Sequence, residues 1–528
     1  MEYTFKSDAI IRRSVRTIFL VSAISLFTLQ IVDYLNFGVD DVFISMRVAE
    51  NAADGKGLVL NTGENVEGYS NPLWVLLLSA GALLGLGNTH SELRLLWFAK
   101  GMSLFFGIGV LAILFRIAAN YERGKESVIP LRYLVLLVAT SCGPFVLWCC
   151  GGLESLITAF FLSLSILLFQ TIWERKSNGQ PVPQAIFIVF SLVLALAALT
   201  RPEPLLHALS AIGFIMYTLR SSITKREARF VILPFIIVYS IFILWRYLTY
   251  EDLLPNTFYA KTGGGLKSYL MSMKYILGGV CMVGGPLILA VPFIQRTRSS
   301  VLLHYCMVLV GASFVFMLYS GGDWMAGYRF FIPIAPIFFL AISVGISGMV
   351  DSLYSNASRK TILGRSRFLL FVLFLSFSTA FAGRILIRGQ IQTMSPGFSS
   401  HSGHSSPWNY EVGAWIHNHA NKSGIIATGE VGLIGYLNPS MRIIDLFGLA
   451  DKHIARNLKH AVSADAEYVL DQKPDYIVLP SGDAQSVVLS FSRPTLSYYS
   501  AIANDKNFRS NYHIEKRFIS LDLFTQNK

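Results

Sequence analysis

Charge is what this chain has least of. Asp, Glu, Lys and Arg make up 14% of its 528 residues against 53% apolar residues, and the mean hydropathy is +0.51. Soluble domains carry about 25% charged residues, so an ordinary water-soluble enzyme is excluded. Cysteine is scarce as well. Cys142, Cys149, Cys150, Cys281 and Cys306 lie in or beside apolar stretches and none falls in the polar C-terminal region, which excludes a disulfide framework and suits small buried hydrophobes. The basic N-terminus runs into an apolar stretch with no small-residue cleavage site after it, so it reads as an uncleaved anchor. The chain also lacks a Rossmann fingerprint, an EF-hand spacing and an internal repeat. Gly263–Gly265 follows no strand pattern and reads as a hinge, not a phosphate loop.

What is there instead is apolar length. Eleven stretches approach the 20 or so residues that a bilayer core of about 30 Å needs: Thr17–Leu35, Leu95–Ile117, Tyr133–Cys149, Leu156–Trp173, Ala185–Leu199, Leu205–Leu219, Phe230–Tyr247, Leu270–Ile294, Val301–Tyr319, Phe330–Val350 and Phe368–Ile385. Leu73–Gly87 is short for a span. If it does not cross, twenty basic residues, from Lys6 to Arg367, gather on the N-terminal side of the membrane. If it does cross, that asymmetry collapses. By the positive-inside rule, Leu73–Gly87 is therefore a juxtamembrane or re-entrant helix started by Pro72. The N-terminus is cytoplasmic, and the formal net charge of +12 reports topology and not nucleic-acid binding. The expected architecture is a polytopic α-helical membrane protein of about eleven spans over residues 1–387, with residues 37–72 as its first extracytoplasmic loop. An extracytoplasmic α/β domain follows over 388–528, where a helical pattern at Tyr410–Asn421 precedes strand-like runs at Gly424–Thr428, Met441–Asp445, Tyr476–Pro480 and Tyr512–Leu523.

The inner loops are plain basic linkers. The outer ones read GGLE (Gly151–Glu154), TRPEP (Thr200–Pro204), EDLLPNTFYAKTGGG (Glu251–Gly265) and GGDWMAGYRFF (Gly321–Phe331). That mixture of carboxylates, single arginines and aromatics suits binding. The longest polar interruption, Phe37–Pro72, opens with adjacent aspartates, Asp40 and Asp41. Asp40 is an ordinary cap for a helix running to about Asn51, with Gly55 ending it. An ionised carboxylate at a membrane surface is equally what a general base for a hydroxyl requires.

The run from Asp40 to Trp74 resembles the first extracytoplasmic loop of the GT-C glycosyltransferases. It is most similar to the family of the mycobacterial terminal β-arabinofuranosyltransferase and its bacterial relatives. That family shows an Asp-Asp pair, a helix with an Arg, then N-x-G-E-x-V-E-G-[YF]-[ST]-N-P-L-W, here Asn61, Gly63, Glu64, Val66, Glu67, Gly68, Tyr69, Ser70, Asn71, Pro72, Leu73 and Trp74. GGLE, RPE, LPNTFYAK, GGDWMAGYRFF and IDLFGLADKHIAR (Ile444–Arg456) also match, so the resemblance touches residues 37 to about 456.

The resemblance implies an inverting transfer of a pentose or hexose, arabinofuranose or similar, from a polyprenyl-phosphate donor to a cell-envelope glycan on the outer side of the cytoplasmic membrane. Asp40 matches the catalytic acidic position. Asp41 orients the acceptor or shares a divalent cation (Mg, Mn or Ca), a cofactor that the resemblance leaves open, and pattern does not separate the two aspartates. The departing phosphate needs positive charge, and arginine's planar fork suits it. The candidates are Arg201, Arg329 and Lys261, with Arg47 behind them. Glu64, Glu67, Tyr69, Asn71, Glu154, Glu203, Asn256, Tyr259, Asp323 and Trp324 are candidates for sugar or acceptor contacts. Each has a plainer alternative: Arg201 and Arg329 as snorkelling span ends paired with Glu203 and Asp323, Glu154 as a helix-start carboxylate, Asn256 in a turn started by Pro255. His401 with His404, and His417 with His419, do not carry a metal reading, since the second pair at i, i+2 shares no helix face. Two other classes fit the composition, a secondary transporter and a non-catalytic envelope-glycan scaffold. A transporter would place its polar groups near the bilayer midplane, and a scaffold would not need paired outer carboxylates.

Overall fold

The computed structural model describes residues 2–87, 93–123, 130–261, 266–294, 300–354, 361–394, 407–420, 423–457, 462–480, 501–517 and 521–526. Peptide groups in lipid have no water to bond and must pair within the segment, and the apolar stretches accordingly form helices. In chain order these are α1 (Glu2–Tyr34), α2 (Asp40–Ala53), α3 (Pro72–Gly81), α4 (Arg94–Glu122), α5 (Leu131–Ser141), α6 (Gly143–Cys149), α7 (Ser155–Ser177), α8 (Gln184–Ala198), α9 (Pro204–Thr218), α10 (Lys225–Tyr250), α11 (Asn256–Lys261), α12 (Leu266–Gly284), α13 (Ser300–Ser320), α14 (Ala335–Tyr354) and α15 (Thr361–Met394).

Among the described residues, seven helices are long and apolar enough to cross a membrane: those of α1, α4, α7, α10, α12, α13 and α15. The pair α5–α6, bent by 76°, makes an eighth if it is one span. All eleven expected stretches are helical, but α8 and α9 have 15 residues each, about 23 Å at 1.5 Å per residue, short of a full crossing, and the apolar part of α14, Ala335–Val350, is likewise among the shorter helices. The protein is a multi-pass membrane protein. Its lipid-facing character shows on α10, where Leu233, Ile236, Ile237 and Leu244 are exposed. α3 starts at Pro72 as expected and runs into a π-helical turn over Ala82–Leu86, with Gly85 at φ 85° and Leu83 and Leu84 exposed.

The chain forms two compact units. One comprises residues 1–35, 100–240 and 264–396, the other 36–99, 241–263 and 397–528. A single cut after residue 387 does not describe this division. The first loop, the end of α10 and the α11 segment belong with the C-terminal region, because their polar side chains bond to it.

In that second unit, α16 (Pro407–His419), β1 (Ile425–Thr428), α17 (Val431–Leu437), β2 (Arg442–Asp445), α18 (Lys452–Asn457), α19 (Val462–Asp471), β3 (Tyr476–Pro480), α20 (Lys506–Asn511), β4 (Tyr512–Arg517) and β5 (Leu521–Gln526) follow one another. The sheet order is β2-β1-β3-β5-β4, with β2, β1 and β3 parallel and β5 antiparallel to both β3 and β4. Ala427, Ile444, Ile477, Leu479, Val469 and Phe508 fill the core beside it.

The edge strand β2 is covered by the first loop. The Asn61 amide group donates to Ile443 O at 2.8 Å and its Oδ1 accepts from Ile443 N at 2.9 Å, completing one rung of a ladder that an edge strand otherwise leaves open. Asn61→Ala strands both backbone groups and is expected to cost roughly 1–3 kcal/mol. Thermal unfolding of the detergent-solubilised protein measures this, and an unchanged melting temperature refutes it.

Candidate active site

α2 begins at Asp40 with Val39 as its N-cap, and no side chain caps it. The carboxylate is directed elsewhere. Asp40 Oδ2 accepts from Gly432 N at 2.7 Å, and Oδ1 accepts from Leu433 N at 2.9 Å and from Asn409 Nδ2 at 3.3 Å. Asn409 also donates to Glu430 Oε2 at 2.8 Å, so one amide group bridges two carboxyls. Burial raises the proton affinity of Asp40; the two amides oppose this and the charge of Asp41 adds to it. Burial and the nearby Asp40 likewise raise Glu430. Asp41 differs: its half-buried carboxyl takes no hydrogen bond or ion pair among the described residues. Tertiary structure thus separates two aspartates that pattern leaves equivalent.

Asp40, Phe43, Arg47 and Glu50 fall at i, i+3, i+7 and i+10, one face of α2, and all four meet α17 or its flanks. Phe43 packs on Tyr436 with ring centroids 5.7 Å apart, and Glu50 Oε1 accepts from Tyr436 Oη at 2.7 Å. Arg47 donates to Leu60 O (2.8 Å), Gly435 O (2.7 Å) and Met441 O (2.8 Å). Burial pulls its pKa down to about 10, against the pull of Glu64 and Glu50. Arg47, expected behind a phosphate, has its donors committed to carbonyls and is 3% exposed.

The motif residues of the first loop and of LPNTFYAK likewise bond within the protein. Glu67 is buried against Arg246, with Nη2 donating to Oε1 at 3.0 Å and Nε 2.7 Å from Oε2; burial still lifts Glu67 to about 7. Glu64 pairs with Arg442 at 2.5 Å. Tyr69 and Tyr250 hydroxyls lie 3.0 Å apart, and Tyr250 donates onward to Leu58 O at 2.8 Å. Asn71 bonds Ser45 Oγ at 3.1 Å. Asn256 Nδ2 donates to the carbonyls of Gly448, Leu449 and Asp451 (2.9–3.2 Å), and the Arg456 guanidinium sits 5.3 Å from the Tyr259 ring centroid. LPNTFYAK and IDLFGLADKHIAR are therefore two sides of one interlock. It is finished by Asp445, which is fully buried, accepts from Phe447 N and Ala450 N at 2.8 Å each and is lifted to about 7 by burial.

The first unit holds the remaining candidates. Arg201 is ion-paired to both Glu154 and Glu203 and stands 4.9 Å from the Phe330 ring centroid. Burial opposes its charge, and the two carboxylates more than offset that, so its pKa moves up. Arg329 pairs with Asp323 at 2.8 Å and lies over both Trp148 (5.9 Å) and Phe330 (5.5 Å). Two arginines thus share one aromatic ring, each with a carboxylate partner, while Trp324 is 37% exposed nearby in the same loop. The side chain of Lys261 lies outside the described residues, as do His401 and His404. His417 Nδ1 is 2.9 Å from Leu437 O and His419 stacks on Trp415. Among the described residues no three His, Cys, Asp or Glu side chains group as a metal site.

Solved structures share this architecture. ArnT from Cupriavidus metallidurans bound to undecaprenyl phosphate superposes with a TM-score of 0.57 over 96% of this chain and 97% of its own, at 11% identity. Arabinofuranosyltransferase AftD from Mycobacteria gives 0.53 over 97% of this chain and 40% of its own, at 15% identity. The fold is that of the GT-C glycosyltransferases. Within that fold, sequence similarity points the same way. The terminal β-(1→2)-arabinofuranosyltransferase of Mycobacterium tuberculosis is 27% identical over 355 residues, 61% of this chain and 54% of that protein, so the match spans about half of that relative's length. A family model described as a domain of unknown function (DUF8728) matches residues 399–527.

Asn409, Glu430 and Gly432 escaped the sequence reading. Their signal, GEVGLIGY next to a strand, carries no motif spacing, and they reach Asp40 only through folding of a GT-C chain. The Glu67–Arg246 pair gives the sharpest test of the braces. Arg246→Met leaves a buried carboxylate unpaired and is expected to cost roughly 3–5 kcal/mol, whereas Glu67→Gln with Arg246→Met recovers most of it. Thermal unfolding of the two variants decides, and equal melting temperatures would sink the account.

Proposed function

We propose that the protein is an inverting glycosyltransferase that moves a sugar, arabinofuranose or similar, from a polyprenyl-phosphate donor to a cell-envelope glycan. The acceptor lies on the outer side of the cytoplasmic membrane, and the N-terminus is cytoplasmic. The observation that carries this is the carboxyl of Asp40: half-buried, raised in proton affinity and held by three hydrogen bonds, on the first loop of a GT-C fold. A base poised closer to neutral pH abstracts a hydroxyl proton more effectively than an ordinary surface carboxylate. The relatives support the donor class, since one GT-C structure holds undecaprenyl phosphate and the curated relative is named for arabinofuranosyl transfer.

In this reading the acceptor hydroxyl loses its proton to Asp40 as its oxygen attacks the anomeric carbon. The bond from that carbon to the phosphate oxygen breaks, and polyprenyl phosphate leaves with the electron pair. Asp41, with its carboxyl unengaged, orients the acceptor by accepting from a second hydroxyl. The departing charge falls to Arg201, Arg329 and Lys261. Arg201 and Arg329 are held by carboxylates here, so phosphate binding requires them to exchange those partners or to act through the net field of the pair.

Asp40→Asn is expected to lower kcat by at least about 10²-fold with expression and monodispersity retained, and cells carrying it accumulate the lipid-linked sugar. Mass spectrometry of envelope glycan and lipid extracts reads both. Unchanged glycan and unchanged lipid-linked sugar in the variant strain would overturn the proposal. Cysteine labelling of Ser510→Cys from outside intact cells tests orientation, with protection of that site as the contrary result.

A further inference from the structure

We propose that Asn409 and Glu430, with the bare Cα of Gly432, are positioning groups for Asp40, so that the C-terminal region takes part in the transfer through that carboxyl and not by touching substrate. This rests on the reading of Asp40 as the base.

Geometry makes the case. Asn409 is 3% exposed, and its single amide group reaches both Asp40 Oδ1 and Glu430 Oε2. Neither carboxyl can turn without losing that donor. Gly432 allows the approach: a Cβ there would stand 2.1 Å from Asp40 O and 2.5 Å from Oδ2. At the far side of α17, Gly435 O is held by Arg47 of the same α2 face, so α17 cannot slide away from α2. The charged groups acting on Asp40 among the described residues are Asp41 on its own helix and Glu430 from the turn after β1. Both are acidic. Two half-buried carboxyls joined by one amide titrate as a pair, and either one, once ionised, favours the protonated form of the other. The charge of Asp40 raises Glu430, and the repulsion is mutual, so the two carboxyls share their basicity while Asn409 and Gly432 fix the direction of Asp40.

The test uses the full-length protein in nanodiscs with a polyprenyl-phosphate sugar donor. Glu430→Gln keeps the shape and removes the charge. The acidic limb of its kcat–pH profile is expected to move down by about half a unit or more, with KM for the acceptor within about threefold. Gly432→Ala displaces the carboxyl, and its kcat is expected to fall about tenfold or more with KM little changed. An unmoved limb in Glu430→Gln overturns the proposal, as does full kcat in Gly432→Ala. An active Asp40→Asn overturns the base reading and this proposal with it, whereas an inactive Asp40→Asn beside an unmoved limb sinks this proposal alone.

A second readout needs no activity. Carboxyls raised in the folded state bind more protons than in the unfolded chain, so stability falls as pH rises from about 4 through their folded values. The melting temperature of Glu430→Gln is expected to decline less between pH 5 and pH 8 than that of the wild type. Parallel curves refute the coupling.

Discussion

One face of one short helix organises the second unit. Asp40, Phe43, Arg47 and Glu50 meet residues 386 to 394 positions later in the chain. Contacts at that separation carry a large closure entropy, and a single hydrogen bond worth about 1 kcal/mol would not hold them. Here a carboxylate, a guanidinium and an aromatic pair act together, on a helix rigid enough that fixing one end fixes the other. Because Asp40 is part of the fastening, the same interaction that assembles the unit orients the proposed base.

The scarcity of charge gives the remaining polar residues their character. In a chain this apolar, an unpaired buried charge is costly, and several buried charges are paired: Glu67 with Arg246, Arg201 with Glu154 and Glu203, Arg329 with Asp323. Such pairs are weak contributors to stability but strict about partners. They resemble binding residues in sequence because both roles place a lone arginine or carboxylate in a Gly- and aromatic-rich loop. Phe330, shared by Arg201 and Arg329, ties two separate loops of the first unit to one another in a way that no single loop foreshadows.

Much was legible in the residues themselves. The helical stretches, the helix start at Pro72, the strands at 425–428, 442–445 and 476–480 and the GT-C resemblance follow from periodicity, proline chemistry and loop motifs. The roles inside the motifs were less legible. Asn61, Asn71, Asn256 and Tyr69 read as sugar-facing groups or as family markers, and the structure turns them inward to bond backbone and neighbouring hydroxyls. An asparagine that completes a strand edge and one that grips a sugar have the same letter and much the same neighbours.

By itself the sequence determined that this is a multi-pass membrane protein with a C-terminal α/β region, because hydropathy and strand alternation are local properties read over about twenty residues or fewer. Only tertiary structure decided that the first loop belongs with the C-terminal region, that Arg47 is a brace, and that Asp40 is held while Asp41 is not. Those are properties of what a side chain meets after folding. A chain whose decisive contacts join residues nearly four hundred positions apart does not write them into any local pattern.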